Sequence, residues 1–221
     1  MIVDERLVTY INSLETGNTA ILDRIEKEAT ETYVPIIRKE MQTFLKLLLA
    51  MKKPARILEV GTAVGFSAIL MAEYGPADAR ITTIENYEKR IPIAEENFRR
   101  AGVSDRITMI SGDAAEVLKT LQGPYDFIFM DAAKGQYIHF LPEILRLLAA
   151  DGVLVSDNVL QDGDIIESKF AVTRRNRTIH RRMRDYLYAL THSGELVTAV
   201  LPVGDGITVS TKKNEIGRAH V

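Results

Sequence analysis

The chain has 221 residues, 46% of them apolar and 26% charged, which suits one globular domain with a core of its own. It has no cysteine and only four histidines, which excludes disulfides, zinc–thiolate and iron–sulfur sites and cysteine nucleophiles, and argues against a multi-histidine metal centre. The net charge of −2 excludes a general polycation, so any nucleic-acid binding needs a local basic patch.

The N-terminal stretch 1–11 is acidic where a secretory signal is basic, and no run reaches the ~18 apolar residues of a membrane helix. A cytoplasmic protein with no membrane partner is expected. Residues 1–53 read as N-terminal helices, with Asp4 and Asn18 as N-caps. Ile36, Ile37, Met41, Phe44, Leu45, Leu48 and Leu49 recur at spacings of three and four, the mark of one buried helix face. Pro54 ends that pattern.

From residue 54 the period changes, and β-rich runs alternate with amphipathic stretches. Strands are predicted at 56–60, 80–84, 107–111, 127–130 and 152–156, with helices at 67–73, 88–101, 115–121 and 140–148 between them. A helix at 177–190 leads to runs at 196–201 and 207–211, joined only by Pro202–Gly206. A parallel crossover needs about a dozen residues, so this last pair must be a hairpin. The expected fold is α/β, a Rossmann-like, seven-stranded, mostly parallel sheet with an antiparallel last strand and helices on both faces. Residues 1–214 read as a single domain with its core at 54–214. Glu215–Val221 (EIGRAHV) reads as a non-native tail, because one codon choice for it matches a common sequencing adapter in frame.

The most informative stretch is Ile57-Leu58-Glu59-Val60-Gly61-Thr62-Ala63-Val64-Gly65-Phe66-Ser67, a buried strand entering a glycine turn and then a helix. Its G-x-x-x-G spacing differs from the G-x-G-x-x-G of dinucleotide binders and lacks a phosphate-loop lysine, so it suits a nucleoside-like ligand without a pyrophosphate. Glu85 follows the second strand, where an acid can accept both ribose hydroxyls, and Asp113 follows the third, where an adenine edge would lie. Asp131, Asp157 and Asn158 end the next two strands as three hard oxygen ligands, suited to Mg²⁺, Mn²⁺ or Ca²⁺ rather than zinc. Helix capping by Asp113 and a turn at Asp157-Asn158 are the plainer alternatives. Further on, six arginines fall within eleven residues. With Ile179, Met183, Tyr186, Leu187 and Leu190 packed inward, Arg174, Arg177, Arg181 and Arg184 form one outward stripe suited to an anion, an RNA loop first and the phosphates of a CoA ester second.

Glu59-x-Gly61-x-x-x-Gly65, Glu85, Asp131 with Lys134 three residues on, and Asp157-Asn158 resemble the class I S-adenosylmethionine methyltransferases, and within them the cation-dependent O-methyltransferases of the catechol and caffeoyl-CoA type. Asp131-Ala132-Ala133-Lys134-Gly135-Gln136-Tyr137 and Pro202-Val203-Gly204-Asp205-Gly206 further resemble the bacterial tRNA 5-hydroxyuridine methyltransferases. The resemblance implies that Gly61, Thr62 and Ser67 hold the methionine part of S-adenosyl-L-methionine, that Glu85 binds its ribose, that Asp113 and Ala114 flank its adenine and that Ile37 closes over it. Glu59, Gly65 and Asp131 complete the implied cofactor set. It also implies that Asp131, Asp157 and Asn158 bind Mg²⁺ (or Mn²⁺/Ca²⁺), that Lys134 is the base, and that two copies pair through their N-terminal helices.

Ala132 and Ala133 stand where plant and animal members carry aromatic residues or histidine, which widens the expected acceptor pocket. The expected reaction is O-methylation of 5-hydroxyuridine in a tRNA anticodon loop to 5-methoxyuridine. The alternative acceptor is a small phenol, a catechol or a caffeoyl-CoA-like ester.

Overall fold

The computed structural model describes residues 2–168 and 170–213; the predicted tail 215–221 lies outside them. Three N-terminal helices, α1 (Glu5–Ser13), α2 (Ala20–Glu31) and α3 (Lys39–Lys52), precede the alternating core. That core runs β1 (Arg56–Val60), α4 (Phe66–Tyr74), β2 (Arg80–Glu85), α5 (Ile91–Arg100), β3 (Ile107–Ser111), α6 (Ala114–Thr120), β4 (Tyr125–Met130), α7 (Tyr137–Leu147) and β5 (Leu148–Ser156). It closes with α8 (Arg177–Thr191), β6 (Leu196–Leu201) and β7 (Ile207–Lys212). Two 3₁₀ turns, Lys134–Gln136 and Gln161–Ile166, follow β4 and β5.

The seven strands lie in the order β3-β2-β1-β4-β5-β7-β6. β1 to β5 are mutually parallel, and β7 runs antiparallel to both of its neighbours. The last strand of the chain is thus the antiparallel one, and it inserts between β5 and the edge strand β6. Side chains alternate across the sheet with the strand period of two. Ile57 and Phe127 join the core under α2–α5, whereas Leu58 and Ile128 join the core under α6–α8. The strand order reverses between β1 and β4, the crevice where open α/β sheets bind ligands.

Three local expectations are corrected by backbone chemistry. Helix α3 starts at Lys39, so Ile36 and Ile37 belong to an extended strap and not to the helix face. Pro35 within that strap disfavours helical geometry at Val34. Helix α5 starts at Ile91 rather than residue 88, because Pro92 is tolerated only in a first turn. Asp4 caps α1 through Arg6 N–H and Leu7 N–H, but Asn18 is no cap: its amide donates to Gln42 Oε1 at 2.8 Å, tying the α1–α2 loop to α3. Among the described residues no helix is long and apolar enough to cross a membrane.

Candidate active site

A cavity of about 820 Å³ opens over the carboxyl ends of β1–β5. Its walls include Ile37, Gly61, Thr62, Ser67, Glu85, Asp113, Ala114, Asp131, Lys134, Asp157 and Asn158. Eleven of the residues singled out in the sequence are therefore brought to one space by a topology that links them across 121 positions of chain.

The half of the cavity over β1–β3 is held by backbone. At Gly61 φ is +106°, and a Cβ there would run into the backbone carbonyl of Asp131, so only glycine lets the β1 turn press against the end of β4. The Glu85 carboxylate accepts three backbone N–H groups, from Ala63 at 2.7 Å, Asn86 at 3.0 Å and Tyr87 at 2.8 Å, which fixes both of its oxygens at the cavity wall. Asp113 caps α6 by accepting the Ala115 N–H at 2.7 Å and still lines the cavity, so capping and a place in the site coexist. Ile37 is buried in the strap, and its carbonyl accepts from the Gln42 side chain at 3.0 Å.

Glu59 and Gly65 do not line the cavity. Glu59 is fully buried beneath the turn and accepts from the hydroxyls of Ser67 and Thr83. Burial pushes its carboxyl up to about 7, against the pull of those two hydrogen bonds. It acts on the cavity through Ser67. Gly65, with φ at +85°, packs against the Phe98 ring and begins α4.

The half over β4 and β5 carries charge. Asp157, 4% exposed, is pushed up to about 7 by burial first and by the Asp131 charge second. Burial also raises Asp131. Asn158, at φ +61°, donates its side-chain amide to Asp131 Oδ1 at 3.2 Å, and its backbone N–H to Asp157 Oδ1 at 2.7 Å. Two neighbouring carboxylates that repel one another, Asp157 buried and Asp131 half-buried, have the donor chemistry to hold a cation or to share a proton. Rotating the Asn158 amide by half a turn presents its oxygen instead, giving three hard oxygen donors. Among the described residues no three His, Cys, Asp or Glu side chains are grouped to hold a metal, so any ion must use this mixed carboxylate–amide set. Lys134 is half-buried on the cavity wall and has no hydrogen bond or ion pair with another described residue.

Several wall residues were not legible as site residues. Arg38 pairs with Asp205 of the β6–β7 hairpin and with Asp162 at 3.2 Å, joining three separate segments at the cavity. Asp205, which lines the cavity, is raised to about 6, chiefly by burial. Tyr137 does not line the cavity; it is fully buried beneath it, with its hydroxyl among the Met130 and Asp157 carbonyls and the Ala132 N–H. The Arg38 contacts and the Tyr137–Asp157 contact join segments distant in sequence; the Pro202–Gly206 motif pointed to Asp205 and the Asp131–Tyr137 motif to Tyr137, while nothing pointed to Arg38.

Arg177, Arg181 and Arg184 lie on one side of α8, but Arg174 falls in the turn before the helix and is not part of its stripe. Arg174, Arg177, Arg181 and Arg184 are exposed while Met183, Tyr186 and Leu190 are buried. None of the stripe lines the cavity. Arg182, beside it, donates to the Gly135 carbonyl at 3.1 Å, in the turn that carries Lys134.

A cavity at the switch point of such a sheet, with a glycine turn and a row of acids at the strand ends, places the protein in the Rossmann-like ligand-binding class. A family model described as O-methyltransferase matches residues 12–213, and the chain belongs to that family. It is 36% identical over 163 residues to a catechol O-methyltransferase of Mycobacterium tuberculosis, covering 73% of this chain and 71% of that protein. It is 32% identical over 179 residues to caffeoyl-CoA O-methyltransferase 1 of Eucalyptus globulus, covering 75% and 70%. In structure it is similar to a Podospora anserina methyltransferase with SAH bound, at a TM-score of 0.85 and 29% identity over 95% of each chain. The protein is an S-adenosylmethionine-dependent O-methyltransferase of the catechol and caffeoyl-CoA type.

Proposed function

We propose that the protein transfers the S-adenosylmethionine methyl group to one hydroxyl of a vicinal oxygen pair on a small aromatic acceptor, a catechol or a caffeoyl-CoA-like ester. The observation that carries this reading is the facing pair Asp131 and Asp157 with Asn158 beside them, opening into the same cavity as Glu85. The chemistry of the donors fits Mg²⁺, Mn²⁺ or Ca²⁺. When bound, such an ion lowers the pKa of a chelated hydroxyl and fixes two neighbouring oxygens.

The chain's own residues do the rest. Glu85 holds the ribose hydroxyls, Asp113 and Ala114 flank the adenine, and Gly61, Thr62 and Ser67 hold the methionine part. Ile37 shields it from water. Lys134 takes the acceptor proton at Nζ, so that the oxygen attacks the methyl in line from about 3 Å. Ala132 and Ala133 leave the acceptor side open enough for more than a bare catechol. Leu7, Tyr10, Ile11 and Leu14 leave an apolar face exposed on α1, which supports pairing of two copies there.

A second reading, a tRNA acceptor bearing 5-hydroxyuridine, is favoured by the exposed arginine stripe. The relatives named for catechol and caffeoyl-CoA favour the small acceptor. Purified protein with Mg²⁺ is offered catechol, caffeoyl-CoA and hydroxyuridine-containing tRNA. Methylation of a small acceptor, unchanged in an Arg174→Ala/Arg177→Ala/Arg181→Ala variant, supports the first reading. Methylation of tRNA alone, with the variant flattening its salt dependence by about 0.7 in log–log slope per lost phosphate contact, replaces it with the second.

A further inference from the structure

The ladder between the two strands that lead into the carboxylate pair stops just short of it. β4 and β5 stay in register to Met130↔Ser156. Beyond that pair the Asp157 N–H donates to the Met130 carbonyl at 2.9 Å and the Asp131 N–H to the Val60 carbonyl on β1 at 3.0 Å, the ordinary alternation of a central strand between its two neighbours. The next rung toward β5 would join the Ala132 N–H to the Asp157 carbonyl; it is not made directly, and both groups need another partner.

Tyr137 supplies it. Its ring is fully buried at the start of α7, and its hydroxyl accepts the Ala132 N–H at 3.2 Å. The same oxygen lies 3.1 Å from both the Met130 and the Asp157 carbonyls, with one proton to give between them. The ring is held edge-on by Tyr186, with centroids 5.4 Å apart, and the Tyr186 hydroxyl bonds instead to Ser156 Oγ at 2.6 Å. One hydroxyl thus joins the backbone on either side of Asp131 to the backbone of Asp157. Apart from Asn158, no described side chain hydrogen-bonds either carboxylate, so their spacing is inherited from the backbone that Tyr137 ties together.

We propose that the Tyr137 hydroxyl is a positioning group that sets the separation of Asp131 and Asp157 and, through it, the cation affinity of the site; this rests on reading those residues as cation ligands. Outer-shell partners of metal ligands typically tune affinity by 10–100-fold. The neighbouring Tyr186 is the natural control: its ring is equally buried and lies in the same aromatic pair, and among the described residues its hydroxyl bonds Ser156 Oγ and no backbone atom of a proposed ligand.

The test uses the full chain with S-adenosylhomocysteine present and reads Mn²⁺ affinity from the free-ion electron paramagnetic resonance signal. Tyr137→Phe is expected to weaken Mn²⁺ binding about tenfold or more and Tyr186→Phe by less than about twofold, with S-adenosylhomocysteine affinity and cooperative unfolding kept in both. An unchanged Mn²⁺ affinity in Tyr137→Phe, or an equal loss in Tyr186→Phe, overturns the proposal. So does a Tyr137→Phe protein that loses S-adenosylhomocysteine binding or cooperative unfolding, because the role claimed is confined to the strand ends. Failure of the wild-type chain to bind Mn²⁺ at all has a different signature: it overturns the cation site itself, and this role with it.

Discussion

Along the ends of β2 and β3, Glu85 and Asp113 accept one to three backbone N–H groups, whereas along the ends of β4 and β5 the buried Asp157 and the half-buried Asp131 share one neighbour, Asn158, whose backbone N–H serves the first and side-chain amide the second. The first half is rigid through covalent geometry and hydrogen bonds that do not depend on a ligand. The second half holds like charges at low dielectric, an arrangement that costs stability until a cation or protons relieve it. One half presents carboxylates whose oxygens are already fixed by backbone; the other gathers carboxylates with few partners, the arrangement on which the proposed cation role rests. The Gly61 turn, pressed against the Asp131 carbonyl, is where the two halves meet.

The sharpest way to break the comparison is to damage one half and watch the other. Asp157→Ala is expected to lower methyl transfer by about 10² to 10⁴, some 3–5 kcal/mol of transition-state stabilisation, while calorimetric S-adenosylhomocysteine binding stays close to wild type. Loss of cofactor binding in parallel would mean that the halves are one unit.

Glu59 tests the charge argument beneath the cofactor half. Its folded-state carboxyl is raised to about 7 from an ordinary 4.5. The protonated form is therefore favoured by folding, so the stability it contributes is complete below pH 4.5 and is lost as pH rises through 7. From the size of that rise the loss is about 3 kcal/mol. Glu59→Gln is expected to remove this component, so the stability difference between variant and wild type, followed by urea unfolding, should grow in the variant's favour from pH 4.5 to 7. A pH-independent difference would show that Glu59 is already ionised at acid pH in the folded protein.

Smaller again is the effect expected at Glu85. Glu85→Ala should weaken S-adenosylmethionine binding about tenfold, or 1.4 kcal/mol, through the lost ribose hydrogen bonds. Mn²⁺ affinity, belonging to the other half, should not move. Unchanged cofactor binding would reduce Glu85 to a brace for the Ala63–Tyr87 backbone.

Much of this arrangement is legible in the sequence. Strand positions, the glycine turn and the row of acids at strand ends are local signals, set by period-two alternation and by residue types that tolerate few environments. The hairpin of β6 and β7 followed from loop length alone. What stayed hidden depends on contacts across the fold. Glu59 reads like its neighbouring site residues, but its position one before the strand end turns it inward to Ser67 and Thr83. Ile36 and Ile37 continue a helical spacing by coincidence of composition and lie in the strap instead. Arg38 looks ordinary in sequence, and Asp205 and Tyr137 stand out only as members of the Pro202–Gly206 and Asp131–Tyr137 motifs, because nothing local records which partners the fold brings to them.

The central claim is that the cofactor half is complete without a cation and the acceptor half is not. It is tested most directly by measuring S-adenosylhomocysteine binding and catechol methylation on one preparation, first in EDTA and then in excess Mg²⁺. The account predicts cofactor affinities within about threefold of each other, a difference under 1 kcal/mol, with turnover abolished by the chelator and restored by the ion. Full turnover in EDTA, or cofactor binding that collapses with it, would contradict the account.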